Sequence, residues 1–241
     1  MRFTARTPVL VGVLSFLIAA GVVTIWYRLT PTPENIMAAD LGSTSFRVGW
    51  YTAKPTKGCT LAIADAPWRF VAWDFLKSQF DRHYTGLYVN RACFVETANT
   101  HLATFTNLLE NYPYRVAVMV GPRRVELPIG NPVITKKISE SEEPPLPEPA
   151  YGGVTYEDET PVVGALVYFY RGLADEFRYP LAVVTNNDGN YAIDLANFDD
   201  SDDISTYDSY LVDVVDTEGK QTRQILPRDI HQPFPPIIVN R

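Results

Sequence analysis

An acidic run supplies the candidate metal ligands of this sequence. Asp199, Asp200, Asp202 and Asp203 fall within the five residues DDSDD. Calcium binds several oxygen ligands that converge from one loop, and carboxylates are ligands of that kind. The run lacks the D-x-D-x-D-G spacing and the distal Glu of a dedicated calcium loop, so a solvated acidic loop is the alternative. No cofactor other than calcium is indicated.

The three histidines, His83, His101 and His231, are the candidates for acid–base chemistry. Asp81 lies two residues before His83, but no nucleophile accompanies the pair. His101 falls where a strand is predicted to begin, which favours a hydrogen-bonded structural role. The sequence contains no phosphate-binding loop, nucleophile elbow or metalloprotease motif. We therefore predict no catalytic residues and no enzyme activity, and keep a hydrolase with an unrecognised site as an alternative.

Two cysteines, Cys59 and Cys93, are separated by 33 residues. They belong to no CxxC pair and have no histidine at ligand spacing, which disfavours a zinc site. Outside the cytoplasm the two thiols can form a disulfide. The alternative is a pair of small buried hydrophobic side chains.

A concentration of aromatic side chains provides a candidate ligand platform. Trp68, Phe70, Trp73 and Phe75 lie in or beside residues 69–80, which are predicted to form a short helix. Two interpretations follow from this composition. The rings pack on the domain beneath them, or they form an exposed platform for a glycan or a protein partner.

The net charge of the chain limits the classes of molecule that it is expected to bind. The net charge is −7, and setting aside the three arginines of the N-terminal segment leaves 18 basic against 28 acidic residues, a balance of −10. Nucleic-acid binding depends on clustered Lys and Arg, so we predict that nucleic acid is not a partner. The hydrophobic fraction of 46% is typical of a chain that folds.

The N-terminal segment predicts a membrane anchor. Residues 8–27 carry no charge, and at about 1.5 Å per residue they span the roughly 30 Å core of a bilayer. Arg2 and Arg6 precede the run, so residues 1–7 are predicted to be cytoplasmic and the chain after a transmembrane helix at 8–28 to be extracellular. A cleaved signal peptide is the alternative. The predicted location is therefore the cell membrane, with a single-pass helix as the membrane contact.

A Pro- and Glu-rich segment divides the rest of the chain. Residues 138–150 contain four Pro, four Glu and no basic residue, a composition typical of an extended linker. The segment separates two predicted domains, residues 32–137 and residues 151–241. Each has the size of a β-sandwich domain.

Alternating apolar residues predict strands in the first domain. Phe46, Val48 and Trp50 share one face of a predicted strand, and the alternation returns over 114–120. A period of two marks strands with one buried face. A further strand is predicted over 104–108, with a less regular pattern.

Two stretches of this domain, LGSTSFRVGWYT and HLATFTNLLENYPYRVAVMVG, resemble fibronectin type III domains of the kind found on bacterial surface proteins. The resemblance implies that Trp50 lies in the core and that the hydroxyl of Tyr114 bonds to nearby backbone. Leu108 matches the pattern of that family. Glu110 and Tyr112 replace the Pro and Thr that the family carries in the turn.

The second domain has a different signature. The order G-x-V, P-V-x-G-A-x-V and T-x-x-D-G-x-Y-x-I over residues 152–193 resembles the transthyretin-like module of carboxypeptidase regulatory domains. The resemblance implies a β-sandwich with a structural role. Within it, Asn187, Asp188 and Gly189 predict a hairpin turn between two alternating runs.

Together these patterns predict an all-β fold, with two Ig-like, Greek-key β-sandwich domains behind a single N-terminal transmembrane helix. The predicted function is that of a non-catalytic, membrane-anchored extracellular structural or adhesion protein, which presents its sandwiches for protein or glycan interaction. An accessory, non-catalytic subunit of an envelope enzyme or secretion complex is the alternative.

Overall fold

Strands dominate the structure, so the predicted mostly-β fold is confirmed. The computed structural model describes residues 6–128, 132–137, 146–172, 179–198 and 208–240. The helices are α1 (Arg6–Leu29) and α2 (Trp68–Phe80), with a short 3-10 turn at Leu195–Asn197. The strands of the first half are β1 (Pro33–Ala39), β2 (Phe46–Thr56), β3 (Gly58–Ala64), β4 (Val89–Cys93), β5 (Ala98–Phe105), β6 (Pro113–Val120), β7 (Arg123–Glu126) and β8 (Val133–Ile134). Those of the second half are β9 (Pro149–Tyr156), β10 (Leu166–Arg171), β11 (Leu181–Val184), β12 (Asn190–Asp194), β13 (Ser209–Val215), β14 (Gln221–Pro227) and β15 (Ile237–Val239).

Strands β1 to β8 form the first sandwich. Sheet β1-β2-β5 faces sheet β4-β3-β6-β7, and β8 pairs with β6 in the second of these sheets. Phe46, Val48 and Trp50 of β2 are buried against Tyr114 and Val116 of β6, as their alternation predicts. The strand predicted over 104–108 ends earlier, because β5 stops at Phe105.

Tyr114 makes the backbone bonds that its position predicts. Its hydroxyl accepts a hydrogen bond from the backbone N–H of Leu109 at 2.8 Å and donates to the carbonyl of Leu87 at 2.6 Å. The side chain is fully buried. These bonds join the turn before β6 to the segment that leads into β4.

Strands β9 to β15 form the second sandwich. Sheet β11-β10-β13-β14 faces sheet β12-β9-β15, in which β15 runs parallel to β9. The core between them contains Val154, Phe169, Tyr191, Val212 and Ile237. The continuous apolar character of β10 follows from its place here, because both of its faces are covered.

The predicted hairpin at Asn187, Asp188 and Gly189 is wrong as a strand pairing. The turn itself is present, since the N–H of Gly189 donates to the carbonyl of Asn186 at 3.0 Å and Gly189 has a φ of 73°. However, β11 before the turn pairs with β10, whereas β12 after it pairs with β9. The turn therefore connects the two sheets of the second sandwich.

The two sandwiches pack directly against each other. Tyr51 of the first sandwich is buried against Leu166 and Tyr168 of the second. Gly49 allows this close approach, because a Cβ at that position would collide with the hydroxyl of Tyr168. The four sheets therefore stack in the order β4-β3-β6-β7, β1-β2-β5, β11-β10-β13-β14 and β12-β9-β15.

Polar contacts fix the position of one sandwich relative to the other. The N–H of Asp40 donates to the carbonyl of Pro180 at 2.8 Å, and its carboxylate accepts from the N–H of Ala182 at 3.1 Å. Arg47 donates to the carbonyl of Ala182 at 2.9 Å.

Most of the predicted linker at 138–150 lies outside the described residues, and its last two residues begin β9.

The carboxyl group of Asp40 makes this contact sensitive to pH. Burial raises the pKa of Asp40 to about 6, against the lowering effects of Arg47 and of the bond from Ala182. The folded state then binds a proton more tightly than the unfolded state, so this group's contribution to stability falls as the pH rises from about 4 through 6. The buried carboxylate destabilises the contact at neutral pH.

We expect Asp40→Asn to raise the free energy of unfolding at neutral pH by about 1 to 2 kcal/mol, because the amide still accepts from Ala182 and carries no buried charge. Part of the gain is offset by the lost attraction to Arg47. The free energy of unfolding is measured in denaturant at about pH 5 and pH 7. Asp65→Asn, at an exposed carboxylate, is the control. An unchanged difference between the two pH values would contradict the role given to Asp40.

Helix α1 meets the first sandwich at one end of its strands. The guanidinium of Arg123 lies 4.6 Å from the ring centroid of Tyr27 and donates to the hydroxyl of Thr32 at 2.7 Å. Gly121, in the turn between β6 and β7, lies beside Trp26. Over the described part of the chain, no helix is both long and apolar enough to cross a membrane, so the predicted transmembrane helix at 8–28 is not confirmed.

Candidate interaction surface

Helix α2 covers the outer face of the first sheet in the stack. Val71 of α2 is buried against Leu61 of β3 and Val89 of β4, and Phe75 packs on the edge of the same cluster. Asp74 faces the connection between α2 and β4, where its carboxylate accepts from the hydroxyl of Tyr84 at 3.1 Å. The helix is therefore held by an apolar contact area and by a hydrogen bond to Asp74.

A disulfide holds the segment that contains α2. Cys59 of β3 and Cys93 of β4 face each other across the strand pair and are bonded, with an S–S distance of 2.12 Å. Arg91 of β4 donates to the carbonyl of Ser78 at 3.0 Å, in the last turn of α2. A cation at this end also compensates the helix dipole. The segment that carries α2 is thus closed at its base and tied to its helix.

The outward side of α2 carries large apolar side chains. Trp73, Leu76 and Phe80 follow the i, i+3, i+7 spacing that places residues on one side of a helix. Their exposed fractions are 64%, 54% and 91%, and that of Trp68, at the start of the helix, is 72%. We call these four residues the exposed apolar face. Several large apolar side chains exposed on one helix are typical of an interaction site.

Cationic side chains lie among the rings of α2. The guanidinium carbon of Arg69 lies 4.8 Å from the ring centroid of Phe70, which also stacks on Tyr88 at 5.5 Å. The amine of Lys77 lies 5.4 Å from the ring centroid of Trp73. These contacts are within cation–π range. They limit the free ring surface that a ligand can stack on.

The structure separates the four residues of the predicted platform. Trp68 and Trp73 are exposed, Phe70 is exposed along one side, and Phe75 is turned toward the sheet. The interpretation in which all these rings pack on the domain does not describe Trp68 and Trp73. Leu76 and Phe80 lie on the same surface, although neither is among the four residues of the predicted platform. Helical spacing from Trp73 identifies both residues as outward-facing, once Val71 is known to lie on the buried side.

The histidines lie apart from one another. His83 is exposed, and its backbone N–H donates to the carboxylate of Asp81 at 2.9 Å, which accounts for their spacing. His231 is also exposed. His101 is buried in the first core, stacked on Trp50 with ring centroids 4.7 Å apart.

The buried position of His101 agrees with the structural role predicted for it, although its hydrogen bonding is poor. Neither of its ring nitrogens reaches a described residue in good hydrogen-bonding geometry. Burial lowers the pKa of His101 to about 4, and the backbone of Ala98 offsets this only in part. The imidazole is therefore neutral at physiological pH and acts as an aromatic core residue.

The candidate calcium ligands Asp199, Asp200, Asp202 and Asp203 lie outside the described residues. Among the residues that are described, no group of three or more His, Cys, Asp or Glu side chains is arranged to hold a metal ion. The calcium site stays a prediction.

No protein family matches this chain, and no curated protein matches it. Among solved structures, it is similar to the central fibronectin-III array of RIM-binding protein, at 12% identity and a TM-score of 0.24. That likeness covers 83% of this chain and 64% of the array, so the chain spans less than two thirds of the array's length. The major pilin subunit of Bacillus cereus matches at 9% identity and a TM-score of 0.22, over 88% of this chain and 69% of the pilin.

Proposed function

We propose that this chain is a non-catalytic structural protein of the cell surface, which binds a protein partner through the exposed apolar face of α2. The observation that carries the proposal is the outward exposure of Trp73, Leu76 and Phe80 on a helix that is otherwise firmly held. Anchors at i, i+3 and i+7 are those that helices insert into apolar grooves of partners. A fixed helix has little conformational entropy to lose on binding.

A protein partner accounts for this surface better than a glycan does. Sugars stack on open, flat aromatic faces, whereas Lys77 lies over Trp73, and Arg69 and Tyr88 lie on Phe70. Leu76 adds apolar bulk without a ring. A protein groove can enclose such side chains from their edges and also accept the cations at its rim.

We also propose that the uncharged N-terminal segment attaches the chain to the cell membrane, with both sandwiches outside the cell. This attachment is supported by the uncharged sequence 8–27 and by the exposure of the apolar side chains Phe16, Val22 and Trp26 around α1. The disulfide between Cys59 and Cys93 suits an oxidising compartment. The docked sandwiches would then hold α2 at a constant position relative to the anchor.

We expect the double substitution Trp73→Ala and Phe80→Ala to reduce capture of the partner by the tagged full-length chain at least about tenfold, because central apolar anchors dominate binding energy. Capture is measured after extraction from cells that make the protein, with partners identified by mass spectrometry. Ile225→Ala, which removes an exposed apolar side chain from β14, is the matched control.

Two results of the capture experiment would change the proposal. Equal capture by the wild-type chain and the double variant would remove α2 from the binding site. An envelope enzyme as the captured protein would favour the alternative function, that of an accessory subunit. Both α2 positions are exposed, so the variants should unfold at the wild-type temperature.

A further inference from the structure

The two sandwiches carry net charges of opposite sign. Residues 32–137 contain 12 Lys and Arg against 8 Asp and Glu, a net charge of +4. Residues 151–241 contain 6 Lys and Arg against 16 Asp and Glu, a net charge of −10. Surfaces of opposite sign on one chain can attract each other between copies, over distances set by the salt concentration.

The exposed surface of α2 is positively charged, as is the first sandwich to which it belongs. Arg69 and Lys77 lie beside the rings of the exposed apolar face. Asp74 is the one acidic residue of α2, and its carboxylate is occupied by Tyr84 and by the N–H of Tyr88. The outward side of the helix therefore offers apolar groups and positive charge together, and its complement is an apolar groove with an acidic rim.

The second sandwich contains a groove of this kind. An open groove of about 690 Å³ lies where β9 and β12 meet the segment 233–236. Tyr151 of β9 lies opposite Ala192 of β12, and both point outward, away from the core. Pro233 and Pro236 add further apolar surface to the lining.

Two exposed acidic residues lie close in sequence to lining residues of this groove. Asp188 is exposed in the turn between Asn186 and Asn190, two residues that line it. Glu157 is exposed two residues after Thr155, another lining residue on β9. A largely apolar lining with acidic residues beside it in the sequence is the complement expected for α2.

We infer that α2 of one chain docks into the groove of the second sandwich of another copy. This inference rests on the proposed function, because it names the partner of the same α2 surface. Helix α2 covers the first sheet of the stack and most of the groove lining lies on the last sheet, so one copy can use both surfaces at once. A contact between two different surfaces is heterologous, and it produces rows of copies unless the rotation closes a ring.

The position of α1 is compatible with such rows. Helix α1 meets the first sandwich at a strand end, beside Gly121 and Arg123. The α2 surface and the groove lie on sheet faces, so the line between them runs across the strands. Copies that stand side by side on one membrane can therefore engage without leaving it.

The test uses the purified full-length chain in detergent, with one chain per micelle. Sedimentation velocity over a series up to about 100 µM measures its association. The α2 variant carries Trp73→Ala and Phe80→Ala, and the groove variant carries Ala192→Lys, which places a cation in the lining. Ile225→Ala is the control for loss of exposed apolar area. Thermal unfolding verifies that every variant is folded.

We expect the wild-type chain and the control to grow beyond dimers as concentration rises, and both variants to remain monomers. A mixture of the two variants should give a one-to-one complex, because each supplies the surface that the other lacks. Added salt should weaken the association, since the surfaces carry opposite charge. The charge variant with Arg69→Glu and Lys77→Glu, which keeps all four apolar residues, should also remain monomeric.

Three results would overturn the inference. They are a wild-type chain that stays monomeric throughout the series, an association that the groove variant retains, and a variant mixture that forms no complex. If the wild-type chain is monomeric and still captures a different protein through Trp73 and Phe80, self-docking fails and the proposed function stands. If it captures none, both fail.

Discussion

Removal of the Cys59–Cys93 disulfide is expected to lower the free energy of unfolding by about 4 kcal/mol, the chain-entropy value for a loop of this length. The two cysteines are 34 positions apart, and the loop that they close contains α2. Without the bond, the unfolded chain gains the conformations that the cross-link excludes. The measurement is denaturant unfolding of the Cys59→Ala, Cys93→Ala double variant beside the wild-type chain.

The same substitution should loosen α2 more than the rest of the protein. The helix keeps its contact with Leu61 and Val89 and the bond from Arg91, but the base of its segment is released. Amide exchange should therefore accelerate in α2 and β4 and stay unchanged in the second sandwich. Reductant added to the double variant is the control and should have no effect. A loss of stability below about 1 kcal/mol would contradict the role given to the disulfide.

Acid should destabilise the first sandwich through His101. Burial lowers the pKa of His101 to about 4 in the folded protein, below the ordinary value of 6.5. The unfolded state then binds a proton that the folded state does not, so stability is full above the ordinary pKa and is lost as the pH falls from about 6.5 to 4. The difference in pKa corresponds to about 3 kcal/mol at the lower end.

His101→Phe isolates this effect. Phe retains the ring that stacks on Trp50 and contacts Phe94, and it removes two buried nitrogens that lack good hydrogen-bond geometry with any described residue. We expect the variant to match or exceed wild-type stability at neutral pH and to lose about 3 kcal/mol less between pH 6.5 and 4. The measurement is unfolding across that range, in a background of Asp40→Asn because Asp40 has the opposite pH dependence. An unchanged pH slope would contradict this account of His101.

Local patterns predicted the elements that depend on local sequence. The alternation of Phe46, Val48 and Trp50 gave a strand with the correct buried face. The helix predicted over 69–80 is α2, which begins one residue earlier, directly after Pro67. In both cases the period of the side chains decides the element, whatever lies opposite it.

Contacts between distant segments were not predicted, because no local pattern specifies them. The sequence of the turn at Gly189 is compatible both with two paired strands and with a connection between two sheets. The pairing of β12 with β9 determines that it connects two sheets. The apolar run of β10 did carry a signal of burial on both faces, although the partner on the second face, around Tyr51, lies more than a hundred residues away.

The candidate site illustrates the same division. The aromatic composition of α2 marked the segment, but its orientation depends on which side rests on the sheet. Val71 and Ser78 take the buried side, while the larger Trp68 and Trp73 stay outside. Hydrophobicity alone favours an orientation in which the tryptophans are buried and Ser78 is exposed. The position of Asp74 explains the choice in part, because its carboxylate bonds to Tyr84 and to the N–H of Tyr88.

Photocrosslinking at α2 tests the central claim most directly. A benzophenone amino acid replaces Trp73 or Phe80 in the full-length chain, and Ile225 in a control, in cells that make the protein. We predict a defined adduct from both α2 positions and none from the control. An adduct of twice the mass of 27.1 kDa would identify a second copy as the partner. The absence of any adduct at Trp73 and Phe80, or equal adducts at all three positions, would contradict the claim that α2 is the interaction surface.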